Sequence, residues 1–191
     1  MNLLREYVTE LLSLPGGDLD YKELIPPPPP ERDRTKELEL VSRQYNDRHN
    51  PDAIQDLLDK NMAEMYDALL VASGKGSHIS YVERLKQEVK PAILFYKNMF
   101  GVLRPYELAA KYGIPFQADR LETAQTPSYP SGHTTQAFYI AEKLSRIFPD
   151  LEAPLFSIAN MVAESRIDRG VHLPSDNAAG KMLAAALSEI K

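Results

Sequence analysis

Residues 50–73 read NPDAIQDLLDKNMAEMYDALLVAS, and the spacing of their apolar side chains decides the class of fold. Ile54, Leu57, Leu58, Met62, Met65, Leu69 and Leu70 recur three and four residues apart. A helix gathers such positions on one side, whereas a strand would scatter them over two faces. Asn50 reads as the N-cap and Pro51 as the first helical residue, where the missing N–H has no partner to lose. Methionines on that stripe read as adaptable core filler.

The same period runs outward in both directions. Leu3, Leu4, Val8, Leu11 and Leu12 form a stripe over residues 2–14, and a more polar helix is expected near 32–46. The segment SYVERLKQEVKPAILFYKNMFG, 80–101, reads as a helix kinked or broken at Pro91. A short helix after Pro105, a long irregular loop over 113–130 and three helices near 134–148, 152–168 and 175–190 follow. No series of alternating positions marks a strand. The expected fold is all-α, a single-domain helical bundle over residues 1–191. Within it, 1–31 supply an N-terminal helix and a proline-rich connector. Pro26 to Pro30 are five consecutive prolines, which must be extended. They read as a stiff connector, the other reading being a docking site for a proline-reading partner.

Composition narrows the function classes. At 191 residues the chain is long enough to bury a core without staples, and its net charge of −5 excludes a general nucleic-acid binder. The absence of cysteine excludes disulfides, thiolate catalysis and zinc–cysteine sites. The start, MNLLREYVTELLSLPGG, carries Arg5, Glu6 and Glu10 inside its apolar pattern and matches a signal peptide poorly. Apolar runs fall far short of the roughly 18 residues that a membrane span needs. A cytoplasmic protein with no membrane or nucleic-acid partner is therefore expected, or a periplasmic one if Met1 replaces a removed leader.

Three short segments carry the chemistry. In PSYPSGHTTQ, 127–136, a proline-rich turn opens directly into a helix. A helix N-terminus offers unpaired N–H donors and the positive end of its dipole, and is a natural anion site. Gly132 lets an anion approach the backbone, Ser131 adds a hydroxyl, and His133 sits beside whatever binds. In ESRIDRGVHLPSDNAAG, 164–180, Arg166 lies near a helix end, His172 in a loop and Asp176 at the start of the last helix. Asp176 can hold the Nδ1–H of His172 and leave Nε2 free as a nucleophile or base. The plainer alternatives are a surface histidine and a carboxylate that favours a helix start, with Ser175 as N-cap. In KNMFGVLRP, 97–105, Lys97 and Arg104 are seven residues apart, which on one continuous helix puts them on the same face. Lys97, Arg104 and Arg166 are three cations in a net-acidic chain, a set that fits a phosphate pocket. His49 and His78 sit at no ligand spacing and read as structural or surface residues. Asp119 and Asp168 lie near the motifs without being demanded by them.

Lysine, six residues, Arg-Pro; then Pro-Ser-Gly-His; then Ser-Arg, five residues, His, three residues, Asp: this three-part pattern resembles the type 2 phosphatidic acid phosphatase (PAP2) superfamily. Its positions are Lys97, Arg104, Pro105, Pro130, Ser131, Gly132, His133, Ser165, Arg166, His172 and Asp176, all inside 90–180. The superfamily includes lipid phosphatases, bacterial class A acid phosphatases and vanadium haloperoxidases. The chain looks most like the class A acid phosphatases, from about residue 24 to 185. Val171 and Leu173 depart from the aromatic residues often found there, and "IDRG" replaces a segment that commonly holds a cysteine.

The resemblance implies a metal-independent phosphomonoesterase acting on small soluble esters such as nucleotides and sugar phosphates. His172 would be the nucleophile that forms a phosphohistidine, Asp176 its orienting partner and His133 the general acid and base. Lys97, Arg104, Ser131, Gly132 and Arg166 would hold the phosphoryl oxygens. No cofactor is implied; vanadate is expected as an inhibitor, and a homodimer is the expected assembly. The alternatives are a haloperoxidase with vanadate as cofactor, a lipid phosphate phosphatase, or a non-catalytic phosphate-binding protein.

Overall fold

The computed structural model describes residues 24–47, 52–116, 118–119 and 121–190. The expected helix over 2–14, the Asn50–Pro51 helix start and His49 lie outside the described residues. Nine α-helices are described: α1 Glu31–Asp47, α2 Asp52–Lys60, α3 Met62–Ala72, α4 Ile79–Glu88, α5 Lys90–Phe100, α6 Pro105–Tyr112, α7 Gly132–Ile147, α8 Glu152–Asp168 and α9 Pro174–Glu189. Short 3₁₀ turns occupy Glu122–Ala124 and Pro149–Leu151, and no strand occurs among the described residues. The all-α expectation holds.

The chain builds outward from α7, which packs most extensively on α8 and α9. Ala137, Ile140, Ala141 and Leu144 of α7 are buried with Leu155, Ala159 and Val162 of α8 and Leu183 and Ala184 of α9. The alanines among them leave room for the backbones to approach. Gly180 marks a close approach, where a Cβ would lie 2.8 Å from the Ser131 carbonyl oxygen and 3.1 Å from Thr134 Cβ. Tyr66 of α3 also reaches α7 and donates a buried hydrogen bond to the Ala137 carbonyl at 2.9 Å. A smaller cluster of Leu38, Val41, Leu108, Ala109 and Leu173 seats α1 and α6 against the segment before α9. The prolines 26–30 carry no regular structure, and the Pro26 carbonyl accepts from Tyr129 Oη at 2.8 Å.

The stretch 50–73 departs from the expected single helix. It breaks at Asn61, whose φ of −116° and ψ of 34° interrupt the helical backbone between α2 and α3. Asparagine is a poor interior helix residue and a good starter, so the break falls where propensity is weakest. The consequence is a different buried face on α2. Leu57, expected on the apolar stripe, is 44% exposed, while Gln55 and Asp59 are buried beside Leu58. The break expected near Pro91 is present: α4 ends at Glu88, and Pro91 occupies the first turn of α5, where its missing N–H is harmless.

No described helix is long and apolar enough to cross a membrane.

Candidate active site

Ser131 caps α7 with an extended backbone, and its N–H donates to the Asp176 carbonyl at 2.9 Å. Ser131 Oγ lies 2.9 Å from Thr134 Oγ1, which donates to Asn177 Oδ1 at 2.8 Å; Asn177 Nδ2 in turn donates to the Ala163 carbonyl at 2.6 Å. This buried chain pins the start of α7 to both α8 and α9. The serine hydroxyl is thus already engaged within the chain. Across from it, a Cβ on Gly132 would lie 3.7 Å from Lys97 Cε, so α5 brings the lysine alongside the helix N-terminus.

Lys97 and Arg104 do not share one helix face. Gly101 ends α5 in the left-handed region at φ 57°, and Arg104 is the N-cap of α6, its N–H donating to Glu107 Oε2 at 2.7 Å. A bend between two helices, rather than a two-turn spacing on one, sends both cations inward. Lys97 Nζ donates to the Pro127 carbonyl. Arg104 Nε donates to the Thr126 carbonyl, and Nη1 to the Val171 carbonyl, both at 2.8 Å. Pro105 supplies the first residue of α6.

Arg166, in the last turn of α8, is 0% exposed. Its Nη1 pairs with Asp59 Oδ1, while Nε and Nη2 are buried with no hydrogen-bond partner. The three cations feel one another. Burial pushes the Lys97 ammonium well below its usual range, and Arg104 and Arg166 push it further, against Asp176. Burial and then Arg166 bring the Arg104 guanidinium down to about 10. Both effects are those of like charges gathered in a poorly solvated space.

His172 is buried between Arg104 and Asp176. Its Nε2 lies 3.0 Å from Arg104 Nη1, and its Nδ1 lies 3.3 Å from Asp176 Oδ2. Burial and then the Arg104 charge hold its pKa well below that of an ordinary imidazole, although Asp176 works in the opposite direction. Asp176 is fully engaged. Oδ2 accepts from Ser128 Oγ at 2.5 Å and from the Leu173 N–H at 2.9 Å, and Oδ1 accepts from Arg34 Nη1 at 2.8 Å. Burial alone would raise its pKa; hydrogen bonding from His172 and the Arg34 charge outweigh that and leave it below the usual carboxylate range. Leu173, rather than Ser175, is the N-cap of α9, and Asp176 satisfies its N–H from the third helical position.

His133, on the first turn of α7, is 17% exposed in its side chain. Its Nε2 lies 3.1 Å from the Asp59 carbonyl oxygen and 3.4 Å from Asp59 Oδ1. Burial, followed by the Arg166 charge, lowers its pKa to about 3, with Asp59 opposing.

All the expected site side chains except Ser131 therefore bear directly on one buried cluster, and Ser131 ties its frame together. Three members have no place in the sequence motifs. Arg34 of α1 and Ser128 hold Asp176, and Asp59 of α2 holds Arg166 and His133. The only sign of Asp59 was a carboxylate next to an apolar position. Asp119 accepts from Arg169 Nε at 2.7 Å, beside the cluster. His78 starts α4, with its ring edge-on to Phe148 at 5.4 Å. Among the described residues no group of three or more His, Asp or Glu side chains is placed to hold a metal ion.

Comparison with known proteins places the cluster in context. The model of the PAP2 superfamily matches residues 89–190, which contain every motif residue but neither Arg34 nor Asp59. An acid phosphatase of Zymomonas mobilis is 29% identical over 134 residues, covering 66% of this chain and 50% of that protein. The chain thus spans about half the length of the curated relative it matches. A transmembrane PAP2-type phosphatidylglycerolphosphate phosphatase from Bacillus subtilis has the same fold. Its crystal structure gives a TM-score of 0.55 at 16% identity, over 96% of this chain and 88% of that one.

Proposed function

Because the chain belongs to the PAP2 superfamily, we propose that the buried cluster is the active site of a metal-independent acid phosphatase. Its substrates are small soluble phosphate monoesters such as nucleotides and sugar phosphates, and its intermediate is a phosphohistidine. The observation that carries the reading is Arg166, whose Nε and Nη2 point into the interior with no acceptor. Native proteins rarely leave buried donors unpaired, and two on one guanidinium match the fork that a phosphoryl group accepts. The Zymomonas relative, named an acid phosphatase, supports the same class of reaction.

The steps follow from the atoms. His172 Nε2 attacks phosphorus in line with the ester oxygen, forming P–N as P–O breaks. His133 passes a proton to the departing alkoxide. Water then attacks the phosphohistidine while His133 takes its proton, P–N breaks, and phosphate leaves. Asp176 orients His172 and stabilises the imidazolium that develops. Lys97, Arg104, Arg166 and the N–H groups at the start of α7 hold the equatorial oxygens, and supply the charge stabilisation that phosphoryl transfer chiefly requires.

Burial and the Arg166 charge keep His133 neutral at any ordinary pH. A bound phosphoryl dianion adds negative charge beside it and raises its proton affinity. Activity therefore peaks on the acid side of neutral.

The test is hydrolysis of p-nitrophenyl phosphate in excess EDTA, with wild type beside His172→Ala and orthovanadate as inhibitor. The reading expects activity that survives EDTA, falls to background in the variant and is blocked by vanadate. Loss of activity on EDTA treatment, or a variant as active as wild type, would overturn it. A parallel screen of nucleotides, sugar phosphates and phosphatidic acid micelles separates small esters from lipid phosphates.

A further inference from the structure

Among the cations of the cluster lies a carboxylate that the three motifs do not contain. Asp59 pairs with Arg166, and the backbone carbonyl of the same residue accepts from His133 Nε2. One residue of α2 thus engages both a phosphate-holding arginine and the proton donor of the reaction proposed above. The side chains of Asp59 and Arg166 are both almost wholly buried, at 2% and 0% exposure.

A second acid–arginine pair lies beside the first, Asp56 Oδ1 with Arg169 Nη1 at 2.9 Å. The acids are three residues apart on α2 and the arginines three apart at the end of α8, so α2 is clasped at two neighbouring points. The two differ in kind. Asp56 is half exposed and its pair is screened by solvent, and Arg169 also holds Asp119. The buried Asp59 pair is the stronger hold, and it puts a negative charge on Nη1 of the same guanidinium whose Nε and Nη2 face the phosphoryl group.

We infer that Asp59 is the resident anion of the pocket and sets its affinity for phosphate: substrate enters by displacing the Asp59 carboxylate from Arg166. Two anions on one guanidinium in a poorly solvated site repel strongly, so a phosphoryl dianion and Asp59 do not share Arg166 in its present arrangement. The displaced state leaves no arginine bare, since Arg166 takes the phosphate and Arg169 keeps Asp119. The break at Asn61 gives α2 a point about which to turn without disturbing α3. Gln55, one turn before Asp59, favours the same movement. Both polar atoms of its side-chain amide are buried without a partner, and turning α2 outward gives them water.

The inference rests on the phosphatase reading, and its test keeps the two apart. Inorganic phosphate is titrated calorimetrically into wild type, Asp59→Asn, Asp56→Asn and Arg166→Lys. Hydrogen exchange of wild-type amides 52–60 is followed with and without saturating phosphate. Asp59→Asn is expected to bind phosphate at least about tenfold more tightly, a coupling of ordinary size between competing ligands. Asp56→Asn should stay within about twofold of wild type, because its pair is exposed. Phosphate should speed exchange in α2 of the wild type, a readout that does not depend on any variant folding. Phosphate binding that needs Arg166 but is not tightened in Asp59→Asn, or phosphate that slows exchange in α2, overturns the inference and leaves the phosphatase reading standing. Absence of phosphate binding in both wild type and Asp59→Asn overturns both.

Discussion

Arg104 Nη1 and His172 Nε2 lie 3.0 Å apart in the interior of the protein. A guanidinium has donors and no acceptor, so this contact is a hydrogen bond only when Nε2 carries a lone pair. The single imidazole proton then sits on Nδ1, facing the Asp176 carboxylate at 3.3 Å. The tautomer that the proposed attack on phosphorus requires is fixed from both sides. In that mechanism Arg104 would also mark where the phosphoryl oxygens go, because its donor rests against the nitrogen proposed as nucleophile.

Arg104→Lys keeps the charge and loses the fork. The native side chain reaches the Thr126 and Val171 carbonyls as well as His172, a spread of donors that one ammonium cannot reproduce. Loss of such a donor costs about 3 kcal/mol of transition-state stabilisation, on the order of a hundredfold in kcat/KM. Steady-state kinetics should show that fall, and a variant within about threefold of wild type would contradict it.

Arg34 acts through Asp176. Their side chains are buried together, 2.8 Å apart, with 2% and 0% exposure. Arg34→Met leaves the carboxylate short of a cation, and breaking a buried pair costs about 3–5 kcal/mol. With Arg34 gone, the full Asp176 charge falls on His172 and raises its proton affinity. The acid limb of the kcat/KM profile should therefore move toward higher pH, and Arg34→Lys should partly restore it. A stability loss without any shift of that limb would make Arg34 a purely structural residue.

Gly180→Ala tests the seating of α7 on α9. In an open helix alanine would gain about 1 kcal/mol over glycine. Here its Cβ meets the Ser131 carbonyl at 2.8 Å, a backbone atom that cannot rotate away. Overpacking of this kind costs about 1–3 kcal/mol, so the melting temperature should fall. Activity should fall with it, because the atom displaced belongs to the loop that positions Gly132 and His133. An unchanged or raised melting temperature would contradict the close approach.

The folded state should lose stability as pH falls below about 6.5, the range where unfolded histidines take up protons. His172 and His133 both have folded-state pKa values below the ordinary one, the latter at about 3. The unfolded chain therefore binds more protons across that window. Their contribution is complete above the unfolded value and is lost at up to roughly 1.4 kcal/mol per pH unit for each histidine. Asp176, also lowered, adds a loss of the same sign below about pH 4. Urea midpoints at pH 7.5, 6 and 5 measure the slope, and a flat profile would contradict the buried, neutral histidines.

The sequence carried the helices and the motif residues because both are local. A 3.6-residue period located α7, α8 and α9 to within two residues. It overshot at 50–73, where spacing alone promised one amphipathic helix and put Leu57 inside. What turned α2 was Asp59 meeting Arg166 from 107 residues away, a contact that no window of spacing contains. Arg34 escaped notice for the same reason, since it meets Asp176 across 142 residues from a helix that reads as polar surface. Lys97 and Arg104 are legible as cations of one motif, but their spacing suggests a shared helix face, whereas the turn at Gly101 between α5 and α6 is what brings them together.

The most direct test of the account is to trap the intermediate. Enzyme is mixed with a labelled phosphomonoester, quenched in alkali within the first turnovers, and digested for mass spectrometry under conditions that preserve phosphohistidine. Phosphate is expected on the peptide containing His172, at Nε2, with none in His172→Ala. Turnover with no phosphate on His172, or with phosphate on another residue, would contradict it.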